Sequence, residues 1–161
     1  MTPKLASADS RSGTTAGLEF RNTEVGRGVF AAKPFSAGFT VIELPLVFVD
    51  VPGRHTIQID ERRHQAFTDD WDDYVNHCCK PNCYVDIEKM AFVALRDIVE
   101  GEQITFNYLT SEWDMVDPFI CCCDGKDRLI QGFRHLSPDE QLSLEPWAAP
   151  WLFARRSHKV D

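Results

Sequence analysis

The chain has 161 residues, of which 43% are hydrophobic, and its 17 Lys and Arg against 25 Asp and Glu give a formal net charge of −8. This length suits a single domain, because two domains would each be small for a good core. The negative charge argues against nucleic acid as the main ligand, since phosphate contacts need clustered cations. It would attract a basic protein or peptide, unless the acidity only aids solubility.

The apolar segments are too short to cross a membrane. The longest apolar run, near 41–49, is interrupted by Glu43 and Pro45 and falls far short of the ~20 residues that a membrane span needs. The N-terminus shows no basic start followed by an apolar stretch, as a secretory signal would. The sequence therefore predicts an intracellular protein, nuclear or cytoplasmic, without a membrane partner.

Six cysteines could form disulfides in a secreted domain, but without a secretory signal we expect reduced thiols or metal ligands. Neighbouring cysteines can hardly pair with each other, and five of the six have a cysteine beside them. They are Cys78, Cys79, Cys83, Cys121, Cys122 and Cys123.

From Leu18 onward the chain reads as short strands separated by turns, whereas residues 1–17, rich in Ser, Thr, Ala and Gly, are typical of a disordered leader. In the last strand, Ile104, Phe106 and Tyr108 should share one face. The density of short strands predicts a mainly β fold of several small sheets, and no GxGxxG motif points to a Rossmann-type domain. The predicted strands are Arg27–Ala32, Phe39–Val49, His55–Ile59, Ala91–Leu95 and Ile104–Tyr108.

Helix is indicated most clearly near the C-terminus. Ser137-Pro138-Asp139-Glu140 is a capping box with proline at the first helical position. The helix should end before Pro146, and the apolar residues from Trp147 to Phe153 should pack on the domain.

Three segments, in order along the chain, resemble the signatures of the SET family of protein-lysine methyltransferases. They are Gly26-Arg27-Gly28-Val29-Phe30-Ala31, Asn76-His77-Cys78-Cys79-Lys80-Pro81-Asn82 and Gly101-Glu102-Gln103-Ile104-Thr105-Phe106-Asn107-Tyr108. A looser match, Phe119-Ile120-Cys121-Cys122-Cys123 followed by Gly132-Phe133, is similar to the post-SET segment of small members. Each segment alone could be a turn or a piece of core.

The resemblance implies a fold of small sheets with a pseudoknot, in which the segment at Asn76 meets the strand that leads to Tyr108. It implies a SET domain at 18–115, followed at 116–161 by a degenerate post-SET segment and the C-terminal helix. It also implies S-adenosyl-L-methionine as cofactor and the side-chain amine of a protein lysine as acceptor, with histones a common substrate.

Site roles follow from the same resemblance. Tyr108 matches the catalytic tyrosine, and Phe106 should lie beside the lysine channel, where a phenylalanine favours di- or trimethyl-lysine; otherwise Phe106 is simply a core residue. The residues expected to bind the cofactor are Gly26, Arg27, Gly28, Tyr74, Asn76, His77 and Phe119.

Two departures from the family pattern bear on activity. Cys78 replaces the usual serine, which is equally small. Bound zinc is doubtful, because Cys79, Cys121 and Cys123 match three of the usual ligands but residues 124–128 contain no cysteine for the fourth. A catalytically silent module that binds a peptide is therefore the alternative to an enzyme; a protein whose purpose is to bind zinc is a lesser one.

Overall fold

The computed structural model describes residues 17–158, and it confirms a mainly β chain of small sheets with few helices. The predicted leader lies outside the described residues except for Gly17. The strands are β1 (Leu18–Thr23), β2 (Gly26–Ala31), β3 (Thr40–Glu43), β4 (Phe48–Val49), β5 (Ile57–Gln58), β6 (His64–Gln65), β7 (Asn76–His77), β8 (Cys83–Asp86), β9 (Ala91–Ala94), β10 (Thr105–Phe106), β11 (Phe119–Cys121) and β12 (Arg128–Ile130).

The described strands form five sheets, each of two or three strands. Antiparallel pairs join β1 to β2 and β11 to β12, and two three-stranded sheets have the orders β3-β9-β8 and β4-β6-β5. The long strand predicted over Phe39–Val49 is in fact two strands, because Pro45 has no N–H to donate to a ladder. Their sheets are separate, so the chain turns from one to the other at this proline.

The fifth sheet is a parallel pair that joins β7 to β10. Thr105 lies opposite Asn76 and Phe106 opposite His77, and the Cys78 N–H continues the ladder to the Phe106 carbonyl at 3.0 Å. This is the meeting of two distant segments that the family resemblance implied.

Asn82 fastens this crossing from the side. Its amide donates to the Gln103 carbonyl at 2.8 Å, and its side-chain oxygen accepts from the Thr105 N–H at 3.0 Å. The side chain is 3% exposed, so water does not compete for these bonds. The Asn82 side chain therefore bonds to the backbone at β10 as a neighbouring strand would.

The C-terminal part, which begins near Gly132 and includes two short helices, packs against Trp113. The predicted capping box is present: Ser137 and Glu140 cap α1 (Pro138–Ser143) reciprocally. A second helix, α2 (Pro150–Ser157), forms where only an apolar segment was predicted, and its Leu152 is fully buried in a cluster with Trp113 and Phe133. No helix within residues 17–158 is long and apolar enough to cross a membrane.

Gly132 is a point of close contact between this C-terminal part and the rest of the structure. Its φ is +119°, and an added Cβ would lie 2.5 Å from the Trp113 carbonyl oxygen. Only glycine tolerates both conditions.

Replacing Asn82 with alanine should lower the free energy of unfolding by about 2–5 kcal/mol, because two buried backbone groups of β10 lose their partners. Urea unfolding measures the change. Asn22→Ala, at an exposed position of β1, is the matched control and should have little effect; equal losses in the two variants would refute the role of Asn82.

Candidate active site

Tyr108 begins a short 3-10 helix, Tyr108–Thr110, and does not continue the strand as predicted. The Asn107 side chain caps this helix by accepting from the Leu109 N–H at 3.0 Å, which ends the strand at Phe106. Asn107 is itself buried. The turn redirects Tyr108 from the sheet toward the β7 segment.

The Tyr108 hydroxyl donates a hydrogen bond to the Val75 carbonyl at 2.9 Å. Burial, helped by the nearby Glu112 carboxylate, holds the pKa of Tyr108 far above its usual value. The hydroxyl therefore stays protonated at neutral pH. It orients partners as a neutral donor and acceptor and does not act as a base.

The His77 ring contacts the backbone of Tyr108. Its Nδ1 accepts from the Tyr108 N–H at 3.1 Å, so the ring proton must reside on Nε2, which lies 3.4 Å from the Cys79 sulfur. Burial, with the positive charge of Arg128, lowers the pKa of His77 to about 4. His77 is thus neutral at physiological pH, in one tautomer.

Asn76 connects β7 to the glycine-rich strand β2. Its side-chain amide donates to the Arg27 carbonyl at 3.2 Å and to Gln103 Oε1 at 3.0 Å. A Cβ at Gly28 would lie 2.8 Å from Gln103 Oε1 and 3.1 Å from the Asn76 amide nitrogen, whereas one at Gly26 would meet open space. Gly28 is therefore needed for this close packing, and Gln103, which was not among the predicted site residues, takes part in it.

The predicted aromatic residues fall into two groups. Phe119 contacts the rings of His77 and Tyr108, at centroid distances of 5.6 and 5.9 Å. Tyr74 lies on the other side, where the Arg27 guanidinium is 4.9 Å from its ring centre. The structure thus brings Phe119 to Tyr108 and places Tyr74 beside Arg27.

Two further aromatics, missed in the sequence, complete the second group. Phe20 stacks on Trp71 at 4.1 Å and also contacts Arg27. Neither belongs to a recognisable motif; only the alternation of Leu18 and Phe20 with the charged Glu19 and Arg21 in β1 would have indicated that Phe20 faces inward.

A cleft opens beside the Tyr108 hydroxyl. Its inner wall includes Val75, Phe106 and Tyr108, and its other sides come from residues 52–57, 72–73 and 114–117 together with Glu112. Phe106 is 3% exposed and packs on Phe92 and Tyr108, at 5.0 and 4.7 Å between ring centres. It belongs to the core and also lines the cleft.

A family model described as the SET domain matches residues 26–109, just over half of the chain. The chain belongs to the SET domain family. The matched segment begins with the glycine-rich strand β2 and ends just after Tyr108, so it includes all three segments that resembled the family.

Related SET proteins include the histone-lysine N-methyltransferase trithorax of Drosophila melanogaster, 32% identical over 131 aligned positions that cover 68% of this chain and 3% of that protein. The methyltransferase flvH of Aspergillus flavus is 38% identical over 58 positions, covering 35% of this chain and 33% of that protein. The chain thus spans at most about a third of the length of these relatives.

Among solved structures, KRYPTONITE in complex with mCHH DNA, H3(1-15) peptide and SAH superposes with a TM-score of 0.53. The match is 23% identical and covers 67% of this chain and 28% of that chain. At this identity the likeness concerns the fold, and it confirms the predicted SET fold.

Cysteines from two segments of the chain lie close to His77. The Cys79 N–H donates to the Cys123 sulfur at 3.3 Å, and the ligand atoms of His77, Cys79 and Cys121 all lie within 4.8 Å of one another. The Cys78 thiol also contacts Cys123. The three weak metal candidates of the sequence analysis are therefore together, with two further residues close by.

A fourth zinc ligand is harder to supply. His77 presents an N–H to Cys79, not a lone pair, because its other nitrogen already accepts from Tyr108. Cys78 directly precedes Cys79, which departs from the usual ligand spacing of two to four intervening residues. The sulfurs fit part of a zinc site, and bound zinc stays doubtful.

Purified protein should carry less than one equivalent of zinc and keep its unfolding temperature in the presence of a chelator, since structural zinc takes four ligands. Elemental analysis and thermal unfolding measure both. One tightly held zinc, with unfolding on chelation, would contradict this. Cys78→Ser, compared with the exposed control Cys122→Ser, would then test whether Cys78 supplies the fourth sulfur.

Proposed function

We propose that this chain transfers methyl groups from S-adenosyl-L-methionine to the side-chain amine of lysine in a protein substrate. The observation that carries the proposal is the Tyr108 hydroxyl bonded to the Val75 carbonyl at the inner wall of a cleft. Relatives named histone-lysine N-methyltransferases, such as the H3 lysine-36 specific enzyme of Schizosaccharomyces pombe, support the same chemistry.

The cofactor, when bound, supplies a methyl group on a sulfonium ion. Gly26 offers backbone at an open position of β2, Arg27 and Gly28 follow it where Asn76 packs closely, and Asn76 and His77 form the neighbouring segment that would help to hold the cofactor. Phe119 would cover the adenine from its position against His77; Tyr74 is a weaker candidate, because its contacts are to Arg27 and Phe20.

The acceptor amine must be neutral, whereas a free lysine has a pKa of about 10.4 and is almost entirely charged at pH 7. Supplying the neutral form costs about 4–5 kcal/mol unless the site contributes. The apolar side chains of Val75 and Phe106 disfavour the ammonium by desolvation. The Tyr108 hydroxyl, which stays protonated, can then orient the amine toward the methyl group.

We infer that the substrate is a basic protein segment such as a histone tail. The net charge of −8 favours such a partner through long-range attraction and disfavours direct binding of nucleic acid. The solved SET structure that resembles this chain holds an H3 peptide, and several relatives are named for histone H3 lysines. An intracellular site of action is part of the same proposal.

The alternative is a catalytically silent SET module that binds a peptide. The observation in its favour is the post-SET loop, in which residues 124–130 add no cysteine to the cluster at Cys79. Transfer of a labelled methyl group to histones and to a lysine peptide array decides between the two. Binding of cofactor and peptide without any transfer would establish the silent module.

Tyr108→Phe should lower kcat by roughly 100-fold or more while cofactor affinity stays nearly unchanged, because the hydroxyl serves the transition state more than the ground state. Turnover assays and calorimetry measure the two effects. Tyr84→Phe, which removes a hydroxyl from β8 away from this cleft, is the control. Near-normal turnover by Tyr108→Phe would end the role assigned to it.

Phe106→Tyr should shift the products toward monomethyl-lysine while the first transfer survives. The wild-type phenylalanine leaves room in the cleft for a methylated amine, and we expect it to reach di- or trimethyl-lysine. Mass spectrometry of a methylated peptide over time measures the product distribution. Phe39→Tyr, at a half-exposed position, is the control; only monomethyl product from the wild type at long times would refute the expectation.

A further inference from the structure

Glu112 places a carboxylate in the cleft that Tyr108 lines. The Glu112 N–H donates to the Tyr108 carbonyl at 2.9 Å, so the two residues are one turn apart, on the segment that continues the 3-10 helix. Both side chains line the cleft, and the negative charge of Glu112 raises the pKa of Tyr108. Glu112 is therefore a neighbour of the hydroxyl within the same cavity.

Its carboxylate is held on one side only. Oε1 accepts from the Gln58 N–H at 2.9 Å and from the Ser111 hydroxyl at 3.0 Å. Gln58 is itself fixed, since its side-chain oxygen accepts from the Trp113 N–H at 3.0 Å and it is 5% exposed. Among the described residues, none donates to Oε2.

Desolvation makes this group a weaker acid than an ordinary glutamate. Burial raises the pKa of Glu112 to about 7, against the lowering effect of its bonds to Gln58 and Ser111. A carboxyl group with such a pKa changes its charge near neutral pH, where a general base is most effective.

We propose that Glu112 is the proton acceptor for the substrate lysine, a role that rests on the proposed methyl transfer. An N–H bond of the ε-ammonium breaks, its electron pair stays on nitrogen as the lone pair that attacks the methyl group, and an O–H bond forms at Oε2. The ion pair becomes a neutral amine and a neutral carboxylic acid. The acid returns its proton to solvent before the next turnover.

The other charged groups of the cleft are placed differently. Asp73 accepts from the Thr68 and Asp70 N–H groups, and the exposed pair of Arg54 and Asp117 stands at the rim. His55 faces the Asp73 carbonyl. Arg54 and Asp117 are solvated, whereas Asp73 has one bonded oxygen and one buried oxygen, Oδ1, without a hydrogen-bond partner among residues 17–158.

Two more acids complete the surroundings. Asp114 is paired with Arg134 and His135, which holds its pKa below the usual value. Asp72 is the competitor with the pKa most like that of Glu112, because burial and Asp73 raise it to about 7 as well; burial also raises the pKa of Asp73. The experiment must therefore separate Asp72 from Glu112.

Glu112→Gln tests the role while keeping the local structure, because the amide oxygen can still accept from Gln58 and Ser111. We expect kcat at pH 7 to fall roughly 100-fold, in the range that general base catalysis contributes. The wild-type rate should rise with pH through about 7 as Glu112 ionises. The variant should lose this rise and recover only toward pH 9–10, where free lysine begins to lose its proton.

Glu88→Gln makes the same exchange at an exposed turn outside the cleft and should leave rate and pH profile unchanged; Asp72→Asn should keep the rise near pH 7. A Glu112→Gln enzyme with the wild-type profile, or loss of the rise in Asp72→Asn instead, would overturn the assignment. Carbon-13 NMR of the Glu112 carboxyl tests it without turnover. The signal should shift to the protonated form when a lysine peptide binds and not when a norleucine peptide binds; equal responses to both peptides would also overturn it.

The two proposals fail in different ways. A wild-type protein that transfers no methyl group in any assay would defeat the proposed function, while the carboxyl titration would still report whether Glu112 takes a proton from lysine. An active wild type with an indifferent Glu112→Gln variant would defeat only the inference about Glu112.

Discussion

The parallel pairing of β7 with β10 is the contact on which the candidate site depends. Two residues on each strand suffice to bring the Val75 carbonyl to the Tyr108 hydroxyl and the His77 ring to the Tyr108 N–H. So short a ladder would be weak alone, and Asn82 strengthens it with two buried hydrogen bonds. The pairing of β7 with β10 therefore sets the relative positions of Val75, His77 and Tyr108.

Burial also decides the charge of each group at this crossing. Tyr108 is protonated and His77 is neutral throughout the physiological range, because desolvation moves their pKa values in opposite directions away from neutrality. The hydrogen bonds that shape the site thus do not change with pH. Burial raises the pKa values of Asp72 and Glu112 to about 7, and both groups line the cleft outside the paired strands.

The sequence predicted those parts that depend on local patterns. The glycine pair of β2, the segment at Asn76 and the capping box of α1 each have a fixed spacing with a physical reason, and each is found as expected. The end of β10 was misjudged, because the alternation from Ile104 to Tyr108 continues past the point where Asn107 caps a helix.

Contacts between residues that are distant in the sequence could not be predicted, because local patterns do not reveal them. Glu112 is an ordinary acid in the sequence, and only the fold shows that Gln58 and Ser111 hold it in the cleft. The gathering of Cys78 with Cys123 likewise depends on a contact between segments that no spacing rule connects.

The close approach at Gly132 has a consequence for protein engineering. Backbone meets backbone there, with no side chain between Gly132 and Trp113 that could adjust its shape. A C-terminal segment taken from another SET protein would have to make the same close backbone contact with Trp113 in order to pack on this surface. Chimeras that exchange the segment should therefore be joined before Trp113, so that both sides of the contact come from one parent.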